Sequence, residues 1–458
     1  MMKHVIAPFA LLLLVAAVDP DRLEPRLRRP EPSAVTGWTK YCGNASMTGT
    51  PMGRSPITAT NVRAMTLAWQ TQLKGSIASA PSVLRNHLYI GDWSGTENLI
   101  DTRNGKILAT ADLGQTHAPQ CQPQTLGITS SAVITGNRIY VAGGDDAFYA
   151  LDANTLGIVW RKSLGDNSAS GGYYGWSSPN VAGNRVLQGV ASNCDNPFVQ
   201  GRLVAMDPVT GAEVASANFV GEGSTGSGVW TSPAVDLQNG KVYVTTASGP
   251  DFFDGTGYSI IRLDLATLVL EDMWKVDAED AEWDADWGSS PTLFTDASGK
   301  QFVGAGHKDG HYYAFLRSDL ASGPVWSAVI AYQGEIPQQG DGTLSTAAFD
   351  GTRLYVGGGT PPDSSDPEAN GSVVALDPGT GTILWRQPFP GPVIAPVSTV
   401  NGVVFAAGGN LVEALDAATG NVLWSYRTDA LVYGGIAIAG DTIFVGDLSG
   451  KLYAFRIS

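Results

Sequence analysis

The chain has 458 residues and a net charge of −15, with 28 basic against 43 acidic side chains. This acidic balance disfavours a nucleic-acid partner, because a phosphate polymer needs a basic face, and it equally disfavours adhesion to anionic lipid. The length alone would allow two or three average domains, and no run of eighteen apolar residues beyond the N-terminus predicts a membrane span.

The N-terminus has the pattern of an export signal. Lys3 precedes a short apolar stretch, residues 5–18, and residues 15–17 fit a small-x-small cleavage site. We predict a signal peptide at 1–17 and a secreted or periplasmic protein. No Cys follows the cleavage site, so no stable membrane anchor is expected, although a short anchor is the alternative interpretation. Residues 18–36 are rich in Pro and Arg and predict a disordered spacer.

One unit then recurs along the chain with the pattern A-x-D-x-x-T-G-x-x-x-W, and its clearest copies are residues 375–385 and 414–424. Each copy predicts a strand, a tight turn and another strand, because Asp can bond its own backbone and Gly supplies positive φ. Weaker copies, two of them longer by two residues and the last cut short, are 99–109, 150–160, 205–215, 262–274, 314–326 and 454–456.

Eight copies predict eight blades of one propeller. The last copy lacks its Trp, and Trp69 near the start can supply it if an N-terminal strand completes the last blade. Such closure removes exposed sheet edges. Short β-branched and aromatic runs keep the same spacing, at 88–91, 139–142, 242–245, 354–357 and 443–446. We predict an all-β, eight-bladed β-propeller over residues 37–458, with structural turn glycines and docking tryptophans.

Three cysteines are present, Cys42, Cys121 and Cys194, and export permits a disulfide. Cys121 and Cys194 fall in loops of nearby blades and are the preferred pair, with Cys42 free, but the sequence cannot choose among the three pairings. No C-x-x-C-H motif occurs, so no attached haem is expected.

The most unusual segment is 277–286. If it is extended, four of its acids share one face. Carboxylates at this density repel one another unless protonated or bridged by a cation, and hard oxygen ligands suit Ca²⁺. A solvated acidic loop is the alternative. The six acids are Asp277, Glu279, Asp280, Glu282, Asp284 and Asp286.

Three tryptophans begin related stretches, at Trp176, Trp230 and Trp287, near the expected starts of innermost strands. Their flat faces could stack on a planar ring or a sugar ring, or could simply pack within the repeat. Lys308 could polarise an oxygen atom of a ligand, with a plain ion pair to an acid of the preceding loop as the alternative.

The repeat resembles the tryptophan-docking repeat of the quinoprotein propellers, and residues 283–291 and 304–314 are similar to the polyvinyl-alcohol-dehydrogenase branch. This resemblance implies a dehydrogenase that holds pyrroloquinoline quinone (PQQ) in the central channel. It also implies a metal, calcium or a lanthanide, that bridges cofactor and protein. The family includes relatives that keep the fold without a cofactor.

The resemblance assigns roles to individual residues. Asp284 follows Trp283 in a W-D pair, the position of the base that takes the alcohol proton. Asp286 supplies the second acid of W-D-x-D, which is typical of the lanthanide branch. Lys308 stands in a K-x-G turn whose lysine contacts the quinone.

The remaining matches concern stacking and metal binding. Trp230 stands where the quinone-stacking Trp is expected, and Trp176 begins the related stretch of another blade. Ser248 replaces an Asn ligand, and a Glu ligand would fall near Asp195 and Asn196. The family's adjacent cysteine pair, one wall of its quinone site, is missing. The predicted metal ligands are Asp284, Asp286, Ser248 and Asn196.

Two functional hypotheses remain. The first is an exported PQQ-dependent dehydrogenase with altered ligands that oxidises a small-molecule or polymeric alcohol. Because it has no haem of its own, it would need an external electron acceptor. The second is a binding or interaction protein without redox activity. The first is favoured because base, cation and stacking Trp occur together.

Overall fold

The computed structural model describes residues 36–252, 255–277, 284, 286–334 and 336–457. Strands in these ranges form the eight blades of an all-β propeller, as predicted. The predicted signal peptide and nearly all of the predicted spacer lie outside the described residues and stay predictions. Within the described ranges, no helix has both the length and the apolar character that a membrane crossing requires.

The first four blades follow one another along the chain. Blade 1 contains Gly37–Trp38, Ser82–Leu84, His87–Gly91, Thr96–Asp101 and Ile107–Asp112. Blade 2 contains Val133–Thr135, Arg138–Ala142, Ala147–Asp152 and Ile158–Ser163. Blade 3 contains Tyr173–Tyr174, Asn180–Ala182, Arg185–Ser192, Arg202–Met206 and Glu213–Asn218. Blade 4 contains Ala234–Asp236, Lys241–Thr245, Ser259–Asp264 and Leu270–Lys275.

The last four blades have four strands each. Blade 5 contains Thr292–Thr295, Gln301–Gly306, His311–Leu316 and Trp326–Val329. Blade 6 contains Ala348–Phe349, Leu354–Gly358, Gly371–Leu376 and Ile383–Phe389. Blade 7 contains Ser398–Val400, Val403–Gly408, Leu411–Asp416 and Val422–Arg427. Blade 8 contains Ala437–Ala439, Thr442–Gly446, Lys451–Arg456 and the early strand Thr66–Gln72.

Short elements lie in the connections between the blades. The strands Thr116–His117 and Thr125–Leu126 pair with each other between blades 1 and 2. Short 3₁₀ helices span Val62–Ala64 and Pro337–Gln339. The second of these belongs to the long connection from blade 5 to blade 6, which reaches the central channel.

The ring is closed by chain ends that are distant in sequence. Thr66–Gln72 pairs antiparallel with Lys451–Arg456, and Leu67 lies opposite Phe455. Trp69 lies opposite Ala454 and so supplies the Trp that the last repeat lacks. The predicted closure is therefore confirmed, and the C-terminal strand is an internal strand of blade 8.

The Trp of the repeat joins five blades to the next one, whereas Ala109 and Ala215 stand at its position in blades 1 and 3. The indole N–H of Trp385 in blade 6 donates to the carbonyl of Ala417 in blade 7 at 3.1 Å. Gly420 lies against the same ring with φ +75°, and a Cβ there would come within 2.7 Å of the ring. A side chain at position 420 would therefore strain the backbone and also clash with the indole ring. These residues are structural, as predicted.

A chain of hydroxyl groups joins the innermost strands around the channel. The backbone N–H of Ser131 donates to Oγ of Ser178, and that of Ser178 donates to Oγ of Ser232, each at 2.9 Å. The same link runs from Ser232 to Ser290 at 2.8 Å and from Ser290 to Thr346 at 3.1 Å. Five consecutive blades are thereby tied together at the channel wall.

The segment 37–50 crosses one end of the channel. Its carbonyl oxygens accept hydrogen bonds from backbone N–H groups of five blades, and all five acceptors lie within residues 39–49. The hydroxyl of Tyr41 lies 3.2 Å from Oγ1 of Thr346 and faces the channel. This segment therefore closes one end. The accepting residues are Thr39, Ala45, Ser46, Thr48 and Gly49.

Candidate active site in the central channel

The loops of blades 3, 4 and 5 enclose a cavity of about 400 Å³ that opens from the channel. We call it the charged chamber, because Asp195, Asp284, Asp286 and Lys308 all line it, together with Ser248. Most residues assigned from the sequence are thus brought together, although they come from separate blades. Trp176 and Trp230 line the same cavity.

A buried lysine is held between two acids. Nζ of Lys308 donates to Oδ2 of Asp284 at 3.0 Å and lies 2.7 Å from Oδ1 of Asp286. The second contact is an ion pair without hydrogen-bond alignment, since Oδ1 of Asp286 has no hydrogen-bond partner among the described residues. The side chain of Asp284 remains 33% exposed, against 4% for Asp286. Asp284 is therefore the carboxylate that a ligand in the chamber can reach.

Burial and charge oppose each other in this cluster. Burial would lower the pKa of Lys308, but the charges of Asp286 and Asp284 outweigh it and raise the pKa above the usual value. Burial also raises the pKa of Asp286, although the charge of Lys308 opposes this shift. Lys308 therefore stays cationic at neutral pH, a property that suits it to anionic ligand groups.

The two channel tryptophans are held by their indole N–H groups. Trp230 donates to Oδ2 of Asp286 at 3.2 Å, and Nζ of Lys308 lies 6.0 Å from its ring centre. Trp176 donates to the carbonyl of Ser192 at 2.9 Å. Because these bonds orient the rings, both side chains offer fixed aromatic surfaces to a ligand.

Asp195 was named beside Asn196 as a place for the Glu ligand, but Asn196 was chosen, and it is Asp195 that lines the chamber. Its carboxylate accepts from Oγ of Ser192 and, at 3.1 Å, from Oγ of Ser248. Burial raises its pKa, and the charge of Asp284 adds to that rise. Asn196 instead is exposed, and its carbonyl accepts from Gln120 at 2.8 Å. The signal for Asp195 was its place beside Asn196 in the same short loop.

The acidic segment is not extended where it is described. Asp284 has φ +64°, in the left-handed region, and its carbonyl accepts the N–H of Asp286 at 2.9 Å. The condition under which four acids would share one strand face is therefore not met at this point, yet the turn brings both carboxylates to one lysine. Trp283 and three of the six acids lie outside the described residues; these acids are Glu279, Asp280 and Glu282.

Trp287 does not face the channel. Its side chain is 0% exposed, and its ring packs against His307 with a centre separation of 4.9 Å. Gly288 takes the channel position that Trp176 and Trp230 take in their blades. When the Ser-Pro ends of the three stretches are aligned, Gly288 and not Trp287 falls at the position of Trp176 and Trp230. Trp287 precedes that position by one residue.

A polar cluster behind Lys308 fixes the turn that carries it. Asp309 accepts from the hydroxyl of Tyr313 at 2.5 Å and lies 3.3 Å from Nδ1 of His307. Burial alone would raise the pKa of Asp309, but bonds from His307 and His311 lower it below its usual range. An ionised acid at this point orients the His307–His311 turn, and Lys308 with it.

A loop held by a disulfide forms part of the wall of the charged chamber. Cys121 and Cys194 are bonded, with their Cα atoms 5.8 Å apart, and Cys42 is free and buried, as predicted. Cys194 lines the charged chamber, and Gln122 lines both this chamber and the channel beside it. The disulfide therefore holds the loop between blades 1 and 2 against blade 3.

A metal ion in the charged chamber would depend on the oxygen atoms of its side chains. Across the ranges that the structure describes, no three His, Cys, Asp or Glu side chains stand close enough to hold an ion by themselves. Lys308 lies between two of the candidate acids. The chemistry of the chamber nevertheless suits a hard cation, because three carboxylates and the Ser248 hydroxyl face it with one lysine in balance.

A family comparison agrees with this architecture. The family model described as outer membrane protein assembly factor BamB, a PQQ-repeat model, matches residues 53–319 and 271–458. The chain belongs to the PQQ-repeat β-propeller family.

Individual relatives of this PQQ-repeat propeller include a polyvinylalcohol dehydrogenase from Pseudomonas sp.. The two are 22% identical over 426 residues, which cover 82% of this chain and 64% of the relative. This chain therefore spans less than two thirds of that relative's length.

Solved structures similar to this PQQ-repeat propeller share its fold. The quinohemoprotein alcohol dehydrogenase of Comamonas testosteroni has a TM-score of 0.73 at 18% identity, covering 92% of this chain and 80% of the other. A europium-containing methanol dehydrogenase has a TM-score of 0.72 at 17% identity, with coverages of 93% and 98%. At these identities the comparison establishes the fold alone.

Proposed function

We propose that this PQQ-repeat propeller is an exported alcohol dehydrogenase that binds PQQ in the charged chamber. The observation that carries the proposal is the buried Lys308, held between Asp284 and Asp286 beside the ring of Trp230. A flat anionic quinone needs an aromatic surface and a cation, and the chamber offers both side by side. The sequence relative named as a polyvinylalcohol dehydrogenase supports the same reaction class.

The residues of the charged chamber divide the work of binding the cofactor and of taking the proton from the alcohol. Trp230 and Trp176 bind the flat faces of the ligand, and Lys308 attracts its negative charge. When bound, PQQ would accept the hydride, that is the C–H hydrogen with its two electrons, that leaves the alcohol carbon. Asp284 takes the alcohol O–H proton, because its carboxylate is the partly exposed one and reaches the chamber. The electrons then pass to an external acceptor, and the substrate is a small or polymeric alcohol.

A hard cation completes this proposal. Asp195, Asp284 and Asp286 carry three negative charges when ionised, and Lys308 balances one of them. A calcium or lanthanide ion held with PQQ would offset the remainder, with Ser248 as an additional oxygen ligand. Asp195 takes the role first assigned to Asn196, because Asp195 lines the chamber and bonds Ser248.

The alternative function is that of a binding protein without redox activity. One observation favours it: Lys308 contacts both Asp284 and Asp286 and balances one of their charges without a metal ion. The missing adjacent cysteine pair points the same way.

Reconstitution separates these functions. The purified protein is incubated with PQQ and Ca²⁺ or La³⁺, and alcohol-dependent reduction of an artificial dye is then measured. If the protein is a dehydrogenase, we expect the dye to be reduced only when PQQ, the metal ion and an alcohol are all present. Absence of turnover with a panel of primary, secondary and polymeric alcohols would leave the binding function as the better account.

A further inference from the structure

A second cavity lies on the propeller axis beside the charged chamber. It has a volume of about 250 Å³, and we call it the axial chamber. It is lined by inner-edge residues of all eight blades and bounded at one end by Tyr41 of the crossing segment. Trp176, Trp230, Gln122, Gln338 and Leu344 line both chambers, so the two adjoin. Together they reach the usual size of ligand pockets, ~300–1,000 Å³.

The axial chamber differs from its neighbour in charge. Its described lining contains no Asp, Glu, Lys, Arg or His side chain, whereas the charged chamber contains four such residues. An ion would therefore lose its hydration there without finding a partner, which costs several kcal/mol or more. The axial chamber selects for uncharged ligands.

Aromatic rings form much of its wall. Trp93, Trp176, Trp230 and Tyr433 come from four blades and all line the cavity. The indole N–H groups of Trp93 and Trp176 are already used, toward Thr129 at 3.0 Å and Ser192 at 2.9 Å. These rings therefore offer their apolar surfaces, which suit the C–H faces of a ligand.

Hydroxyl groups supply donors at the same wall. Ser131, Ser178 and Ser232 are 2%, 4% and 4% exposed, and each Oγ accepts a backbone N–H from the neighbouring blade at 2.8–2.9 Å. In the described part of the chain no acceptor is present for their own O–H groups. A purely apolar ligand would leave three buried donors unpaired, at about 1–3 kcal/mol each.

We propose that the axial chamber binds an uncharged, polyhydroxylated ligand, with its carbon faces on the tryptophans and its oxygens on Ser131, Ser178 and Ser232. A polyol or a sugar carries C–H groups and hydroxyl oxygens close together along its length. The wall of the axial chamber likewise carries aromatic rings close to serine hydroxyls. Such a ligand can extend past Trp230 and present one terminal hydroxyl to Asp284. That it is then oxidised rests on the proposed function, whereas its binding does not.

Calorimetry on the full chain without PQQ or metal tests the binding. Sorbitol and cellobiose are the probes, with gluconate as the charged contrast and 1-hexanol as the apolar contrast. We expect at least one of the two neutral probes to bind and both contrasts to bind at least ten-fold more weakly. Failure of both neutral probes to bind, or equal binding of gluconate, would overturn the proposal.

Matched variants place the ligand. Ser178→Ala removes a chamber hydroxyl, whereas Ser177→Ala removes a hydroxyl that accepts the N–H of Gly189 inside the blade and does not line the axial chamber. We expect at least five-fold weaker binding for the first variant and unchanged binding for the second. Tyr433→Leu serves the same purpose if Ser178→Ala does not fold. Equal affinities in Ser178→Ala or Tyr433→Leu and in Ser177→Ala would contradict the assignment.

The outcome is independent of the redox proposal. Neutral-ligand binding with no affinity for PQQ would retain the axial site and remove the dehydrogenase function. PQQ binding without neutral-ligand binding would do the reverse.

Discussion

The indole N–H of Trp230 donates to Oδ2 of Asp286 at 3.2 Å. The other oxygen of this carboxylate lies 2.7 Å from Nζ of Lys308, so one buried acid connects an aromatic surface of blade 4 to a cation of blade 5. Because the acid is nearly inaccessible to water, both partners are held in place without a ligand. The chamber is therefore organised before any cofactor enters it, which reduces the entropic cost of binding.

Lys308→Gln should destabilise the protein by about 3 kcal/mol, because it leaves Asp286 buried without its cation. The double variant Lys308→Gln/Asp286→Asn should recover much of that loss. Urea unfolding measures both, with Lys300→Gln, an exposed lysine of the same blade, as the control. A double variant no more stable than Lys308→Gln alone would mean that the pair contributes little.

Asp284→Asn should lower the rate of alcohol oxidation by ~100-fold or more while the fold is retained, because an amide cannot accept the alcohol proton. Dye-linked kinetics of the reconstituted protein and circular dichroism provide the two measurements. Asp277→Asn, an exposed acid of the same segment, is the control and should keep full activity. Equal rates in the two variants would remove Asp284 from the reaction.

Gly420→Ala should destabilise the propeller by about 2 kcal/mol more than Gly402→Ala. Both glycines have positive φ, +75° and +80°, so both variants carry backbone strain. Only at Gly420 would the new Cβ meet the Trp385 ring, at 2.7 Å, whereas nothing lies within 4 Å of a Cβ at Gly402. Thermal unfolding of the pair isolates the contact, and similar losses would argue against the docking role of the repeat.

Asp146→Asn should flatten part of the pH dependence of stability. Burial raises the pKa of Asp146 to about 8, and the charge of Asp145 adds to this rise. With an unfolded pKa of ~4, the stability it contributes is fully present below pH ~4 and is lost as pH rises through 8. The variant should therefore gain about 5 kcal/mol on the natural protein between pH 4 and 8.5, measured by urea unfolding. Parallel pH profiles would show that Asp146 is not the source.

The repeat predicted the fold because its turn chemistry is local. Asp and Gly at fixed offsets specify each strand–turn–strand unit, and eight copies leave little choice of architecture. The displaced Trp69 was predictable because the last copy is cut short before its Trp position and an N-terminal strand can supply the residue. The pairing of Cys121 with Cys194 was preferred because their loops fall on nearby blades, and the structure decides among the three pairings that the sequence left open.

The site was predicted less completely because it depends on backbone turns that no local pattern specifies. Asp284 adopts a left-handed conformation, which brings it to Lys308, and no pattern in the sequence indicated that turn. Asp195, and not Asn196, faces the chamber, a choice set by the path of one loop. The axial chamber was not predicted at all, because eight blades contribute its wall and no single segment carries its signature.

Equilibrium titration of the metal-supplemented protein with PQQ, followed by absorption spectroscopy, tests whether the charged chamber holds the quinone. We expect a saturable change in the PQQ spectrum that needs Ca²⁺ or La³⁺, is lost in Lys308→Gln, and persists in the control Lys300→Gln. Absence of any saturable binding, or equal binding in Lys308→Gln, would contradict the claim that the charged chamber holds the quinone.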